Sequence, residues 1–351
     1  MWGVGVFVIA EGNVTVTKIE KIGETDFFCN LHLIMKKAFL LCLALLLLLN
    51  ALPLRAQENL KPFVFMPQWT PQAQFAGYYV ALEKGFYREE GLDVHINHPS
   101  STSTPMARIK DHECDAITLQ LVQAMEMLDN GLSLVNILQT SMNNGLVIVS
   151  RTEQNPMEMK GAKVVTWRAG FGQIAECMSV ELSLDFDWIQ AAESLNLYVV
   201  GAVDAALAMS YNEYYQLLQT NLIPSENSVY RFCDHGFNIP EDGIYMSRET
   251  YAKDPDRARR FAIASRRGWE WAAAHPEETL DIVMSYVQRF RVSTNRILQR
   301  LMLDEVLRLQ RNKESGEQEF RLLPEMVKQA SDLMYRNGML KRQIGIEELL
   351  P

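Results

Sequence analysis

From Lys61 to Leu138 the chain alternates short strand patterns with helical ones, and this alternation limits the fold more than any other feature. Lys61–Met66 alternates around Phe63 and Phe65 and reads as a strand, which Trp69-Thr70-Pro71 interrupts. Over Phe75–Lys84, Phe75, Tyr78, Tyr79 and Leu82 recur at helical spacing, with Gly85 placed as the C-terminal cap. Asp93–Asn97, Ala116–Leu119 and Leu134–Leu138 read as strands, with helices at Pro105–Lys110 and at Leu121–Asn130, the latter closed by Gly131. This β-α-β-α-β-α-β order predicts a parallel sheet covered by helices. The pattern then restarts. Leu146–Ser150, Lys163–Thr166, Ala205–Met209, Val229–Phe232 and Gly243–Met246 read as strands, and Gly172–Leu184 and Tyr211–Thr220 as helices. After Pro255 the chain is almost all helix: Pro255–Ala274, Pro276–Val287, Thr294–Arg311 and Pro324–Asn337, with prolines near the starts. No short fixed-period repeat or low-complexity linker occurs, so two α/β halves joined by short crossovers are expected, near Asn143-Asn144-Gly145 and Asn238–Gly243.

Upstream, Met35-Lys36-Lys37 precedes an uncharged apolar run, Ala38–Leu49, followed by Pro53, Arg55 and Ala56. A short positive region, an apolar run of about 7–15 residues and a small residue at the end make a secretory signal peptide. The run is shorter than the roughly 20 residues of a membrane span; an uncleaved anchor is the alternative. Residues 35–56 are therefore read as a leader cleaved after Ala56, with Met35 as initiator. Residues 1–34 then form an upstream extension with no structure of its own, and the mature protein is periplasmic.

The 351 residues are 48% hydrophobic and 22% charged, enough for two domains. A net charge of -9 and the absence of any Lys/Arg run exclude nucleic acid as a partner. Outside residues 1–56 only Cys114, Cys177 and Cys233 remain, which is neither a disulfide framework nor a metal site; at most one pair could form.

Ligands of open α/β sheets bind beyond the carboxyl ends of the strands. Those positions hold Gln68, Trp69 and Gln74, then Tyr78 and Tyr79 on the following helix, Gln120, Asn143 and Asn144, Trp167, and Ser210, Tyr211 and Glu213. Each has a structural alternative. Trp69 and Trp167 either face a cleft and stack on a planar ligand or simply pack. Tyr78 and Tyr79 are adjacent, so at most one faces the cleft. Glu213, at a helix start, either meets ligand or complements the dipole, and Asn143-Asn144-Gly145 is equally a turn. Gly170 and Gly172, in Ala169-Gly170-Phe171-Gly172-Gln173, could let backbone N–H groups meet an anion, although the segment is too short for a nucleotide fingerprint and lacks a phosphate-loop lysine. There is no Gly-x-Ser-x-Gly, His-Glu-x-x-His or Cys-x-x-Cys. His95 and His98 fall on opposite faces of a strand, and His112-Glu113-Cys114-Asp115 is too tightly spaced for good ligand geometry. No catalytic residue, metal or cofactor is implied.

The stretch Gln68–Val94, QWTPQAQFAGYYVALEKGFYREEGLDV, resembles the opening of the thiamine-pyrimidine-precursor family, which includes substrate-binding proteins of ABC importers and a fungal pyrimidine synthase. Cys114-Asp115-Ala116, Trp167–Gln173, Val203-Asp204-Ala205 and Asn212-Glu213 continue the resemblance, more loosely after about residue 250. It implies an α/β, two-lobed periplasmic-binding-protein fold of type II, each lobe a mixed sheet flanked by helices, with a helical C-terminal region. Lobe one would be 57–144 with 244–351, and lobe two 145–243, closing by a hinge. It further implies a monomer that captures an aminopyrimidine and hands it to a permease in the inner membrane. Trp69 becomes the stacking candidate and Glu213 the acceptor for the amino group. The synthase carries a Lys and a His, four residues apart, where Leu119 and Gln123 align here, and a cysteine-rich segment where this chain has only Cys233. Together with the leader, these departures argue against an enzyme. A sensory module, and relatives' ligands such as sulfonates and nitrate, are the remaining alternatives.

Overall fold

The structure, a computed structural model, describes residues 35–37, 60–100, 103–167, 170–191 and 195–351. The chain divides into two units, Met1–Glu58 and Asn59–Pro351. In the first, only the helical turn at residues 35–37 is described; the leader otherwise, and the extension before it, lie outside the described residues.

The second unit contains two five-stranded sheets. In chain order its elements begin with β1 (Lys61–Met66), a 3-10 turn at Ala73–Phe75, α1 (Ala76–Glu83), α2 (Phe86–Glu89), β2 (Leu92–Ile96), α3 (Pro105–Lys110), β3 (Ala116–Gln120), α4 (Leu121–Asp129) and β4 (Leu134–Gln139). Then follow β5 (Leu146–Ser150), β6 (Lys163–Trp167), α5 (Gln173–Glu181), β7 (Asp187–Ala191), α6 (Asn196–Val199), β8 (Ala205–Met209), α7 (Glu213–Gln219) and β9 (Val229–Arg231). The chain ends with β10 (Asp242–Ser247), α8 (Arg248–Lys253), α9 (Pro255–Ala274), α10 (Pro276–Arg289), α11 (Arg296–Leu309) and α12 (Pro324–Arg336). Helix starts carry the expected chemistry. Thr104 accepts from Ala107 N and Asp254 from Arg257 N, each with Pro at the next position.

Sheet one has the order β2-β1-β3-β10-β4, and sheet two β7-β6-β8-β5-β9. The strand–helix alternation alone predicts a parallel sheet, whereas the resemblance implies a mixed one, and the structure bears out the mixed sheet. β1 pairs in parallel with β2 and β3, but β10 inserts antiparallel between β3 and β4. A strand returning from the other sheet enters from the opposite end, so it runs against its neighbours. In sheet two, β5 likewise runs antiparallel to β8 and β9. The chain passes between the sheets twice, over residues 140–145 and 232–241. β7 is absent from the sequence reading because DWIQA is an edge strand, mostly half-exposed, without apolar alternation.

Sheet one packs through Phe63 on Phe261 (centroids 4.1 Å apart, 12° between planes), with Tyr87 stacked beyond at 5.0 Å. Asp115 fastens this edge: its carboxylate accepts from Val64 N at 2.8 Å and pairs with Arg257. Helix α9 crosses α1 at very short range. A Cβ at Gly268 would lie 2.0 Å from the Gly77 carbonyl oxygen, and one at Gly77 2.3 Å from the Trp269 ring. The last two helices touch both halves, α11 meeting the 73–75 turn and α7, and α12 meeting α4 and α5. Because the backbone itself blocks a side chain at the α1–α9 crossing, Gly268→Ala is expected to destabilise the protein by about 1–3 kcal/mol or more. Urea unfolding measures this; an unchanged midpoint would show that the two helices separate freely.

Candidate functional site

A cavity lies where the two sheets face each other. Its walls come from the carboxyl ends of four strands. Gln68, Trp69, Gln72 and Gln74 follow β1, and Gln120 ends β3. Trp167 ends β6, with Phe171 just beyond, and Met209, Tyr211, Asn212 and Glu213 lie at the end of β8 and the start of α7. This is where parallel strands leave unsatisfied backbone and loops free to vary.

The aromatic side is built around Phe171. Its ring meets Trp69 edge-on at 5.7 Å and Trp167 edge-on at 6.3 Å, so it joins a tryptophan from each sheet. Trp167 Nε1 donates to Glu213 Oε1 at 3.2 Å, and Asn212 Nδ2 donates to the same oxygen at 3.2 Å. Met209 N donates to Oε2 at 3.0 Å. Glu213 is only 6% exposed, and burial raises its pKa against the lowering effect of these bonds.

The glutamines form a connected set. Asp242, at the start of β10, accepts from Gln68 Nε2 at 2.6 Å and from Gln74 Nε2 at 2.8 Å. Gln74 Oε1 in turn accepts from Gln72 Nε2 at 2.6 Å. Burial pushes the Asp242 carboxyl up to about 6 and that of its neighbour Glu241 up to about 8. Among the described residues, no Lys, Arg or His lines the cavity. A groove of about 1000 Å³ adjoins it, sharing Gln68, Trp69 and Phe171 and adding Pro99, Pro105, Met106, Leu119 and Gln123. Across the rim, Gln123 Nε2 donates to Gly170 O at 3.1 Å and Gln173 Nε2 to Glu126 Oε2 at 2.9 Å, so the two halves are closed on one another.

Of the residues singled out in the sequence, Trp69, Gln120, Trp167, Tyr211 and Glu213 share this cavity, as do Gln68 and Gln74. Seven do not line it: Tyr78, Tyr79, Asn143, Asn144, Gly170, Gly172 and Ser210. Tyr78 is buried in the core between Phe65 and Trp269, with its hydroxyl 3.4 Å from Thr140 Oγ1; the neighbouring Tyr79 is buried too. Asn143 belongs to a crossover, donating to the carbonyls of Leu309 and Arg311. Gly170 presents its carbonyl to Gln123, Gly172 caps α5, and neither lines the cavity. Sequence reasoning missed Gln72, Phe171, Met209 and Asn212. Phe171 was visible only as the middle of a glycine-flanked segment.

A family model described as NMT1/THI5 like matches residues 72–279, more than half of the chain. The chain belongs to the NMT1/THI5-like family. A formylaminopyrimidine-binding protein from Halalkalibacterium halodurans is 23% identical over 240 residues, covering 65% of this chain and 71% of that protein. A riboflavin-binding protein from Chloroflexus aurantiacus is 22% identical over 265 residues, covering 72% and 74%. The solved structure of the periplasmic aliphatic sulphonate binding protein from Escherichia coli matches with a TM-score of 0.59 at 12% identity, covering 83% of this chain and 92% of that one. This NMT1/THI5-like chain therefore has the periplasmic-binding-protein fold, with a mixed sheet in each half and a helical C-terminal region. No helix among the described residues is long and apolar enough to cross a membrane. Cys114, Cys177 and Cys233 are free thiols.

His98 holds the Trp69 segment. Trp69 O lies 2.7 Å from Nδ1, and a carbonyl only accepts, so Nδ1 carries the proton. Nε2 then accepts from the Tyr79 hydroxyl at 3.0 Å. Burial lowers the His98 pKa from 6.5 to about 4. With the folded value depressed, the stability contributed by His98 is fully present above pH 6.5 and is lost as the pH falls toward 4. The difference in unfolding free energy between the wild type and His98→Gln should therefore shrink across that window. A pH-independent difference would show that the ring charges as freely when folded as when unfolded.

Proposed function

We propose that this protein is the periplasmic ligand-binding component of an ABC importer, that it closes on a flat, nitrogen-rich heteroaromatic of the aminopyrimidine class, and that it is not an enzyme. The observation that carries this reading is the cavity itself: Trp69, Phe171 and Trp167 line it together with the buried Glu213 carboxylate, and its described lining residues include no cation. An aromatic wall favours a planar ring, and a buried carboxylate selects a ligand whose N–H groups donate to it. The two lobes of the hinge are taken as 57–144 with 244–351, and 145–243. Since Trp69 and Trp167 come from different sheets, the site is complete only when these lobes meet, which couples affinity to closure. Glu213 orients the ring, and opening releases it to a membrane permease.

Two features support the non-enzymatic reading. Leu119, on the groove wall, has no amine to form an imine with a pyridoxal-type cofactor. Gln123, one turn further on, spends its amide on Gly170 O. A sulfonate or nitrate ligand is disfavoured because the cavity would place an anion beside the buried Glu213 carboxylate, with no cation among the described lining residues to offset it. A larger, flavin-like ligand is the second reading, favoured by the adjoining groove that shares Trp69 and Phe171 with the cavity.

Titration calorimetry with 4-aminopyrimidine, riboflavin, methanesulfonate and nitrate tests the class. Binding of the pyrimidine is expected, with a smaller radius of gyration in solution scattering and none of either effect from the anions. Glu213→Gln, which puts an N–H donor in place of an acceptor, should weaken binding by about 2–4 kcal/mol. Anion binding alone, with Glu213→Gln neutral, would overturn the pyrimidine assignment.

A further inference from the structure

Two carbonyl oxygens in the cavity wall, Gln68 Oε1 and Gln120 Oε1, are fully shielded and have no hydrogen-bond partner among the described residues. Their side chains are 8% and 2% exposed. A buried acceptor left unmade is costly, so such groups mark where another molecule donates.

The orientation of Gln68 is not free. An ionised carboxylate offers only acceptors, so the amide that meets Asp242 Oδ1 must present its NH2 group. Its Oε1 is thereby turned away from Asp242. Gln74 is fixed from both ends, its Nε2 on Asp242 Oδ2 and its Oε1 on Gln72 Nε2. Gln68 is held at one end only. On the opposite wall stands Glu213, also an acceptor. The cavity thus offers acceptors from both sheets.

We infer that Asp242 is a specificity-determining positioning residue: by fixing the Gln68 amide it commits the sheet-one wall to accepting, so the ligand carries N–H donors on two of its edges, one toward Gln68 and Gln120 and one toward Glu213. This rests on the aminopyrimidine reading and narrows it to diamino-type, neutral or cationic rings, against amino-oxo rings. Asp242 touches no ligand in this scheme; it acts through the amide it orients.

The test compares 2,4-diaminopyrimidine, which has two donor groups, with cytosine, which presents a carbonyl oxygen in place of one of them, and uses 4-aminopyrimidine as the common reference. Calorimetry is run at pH 8, where Asp242 is ionised. The wild type should prefer the diamine to cytosine by about 10- to 100-fold, the cost of leaving one buried acceptor facing another. Asp242→Asn supplies one donor and one acceptor, so one glutamine must turn, and Gln68 is the one without a second anchor. Its NH2 then faces the cavity, and the diamine preference should collapse or reverse while 4-aminopyrimidine still binds. Gln68→Met keeps Asp242 and removes the acceptor, so it should also cut the preference, which gives a readout if Asp242→Asn folds poorly. An unchanged diamine-to-cytosine ratio in either folded variant, or a wild type that prefers cytosine, overturns the inference while leaving the aminopyrimidine reading intact. A wild type that binds none of the three rings overturns both.

Discussion

The backbone N–H of Gly145 donates to the Glu241 carboxylate at 2.7 Å, and this contact ties the two crossovers to one another. Residues 140–145 leave sheet one and residues 232–241 return to it, so every relative motion of the halves passes through them. Around Glu241 the segments are laced together. Asn238 accepts from Asn144 N at 2.8 Å and donates to Asn143 Oδ1 at 3.1 Å, and Asn144 Nδ2 donates to Ile239 O at 2.9 Å. Gly145 has no room for a side chain: a Cβ would sit 3.0 Å from Leu309 and 3.2 Å from Ser210 Oγ. Buried backbone outside a sheet has to find partners, and here asparagines and one glutamate supply them. Asp242, next in the chain, opens β10 and holds the amides of Gln68 and Gln74, which line the cavity. The crossovers and the site are therefore built from adjacent residues.

That adjacency gives the cavity its electrical character. Glu241 is buried and Asp242 half-buried, and desolvation raises both carboxyl groups, Glu241 further because Asp242 lies beside it. Glu213 adds a third acid, a buried one, from the other sheet. Burying carboxylates without cations is expensive unless hydrogen-bond donors surround them. Backbone and amide N–H groups and the Trp167 indole provide part of that compensation. A donor-rich ligand would provide the rest.

Much of the fold was legible in the sequence because local chemistry set it. Pro105 and Pro255 at helix starts, behind Thr104 and Asp254, fix α3 and α9 to the residue. Gly85 and Gly131, both at positive φ, follow the ends of α1 and α4 where a left-handed residue is needed. Sheet direction was not legible. β10 carries no mark of running against its neighbours, since that follows from a path through the other sheet. The site divides in the same way. Residues directly after strands, such as Trp69, Gln120 and Trp167, reach the cavity as the strand-end rule requires. Tyr78 does not, because one face of α1 turns into the core against Trp269. The orientation of Gln68 lay beyond reach because its partner, Asp242, is 174 positions away in the chain.

The most direct measurement of the central claim is a crystal structure of the protein grown with 4-aminopyrimidine. The account places the ring in the cavity beside Trp69, Phe171 and Trp167, with its amino group within about 2.7–3.2 Å of a Glu213 oxygen. Density for the ring elsewhere, with the cavity holding only solvent or an anion beside Glu213, would contradict it.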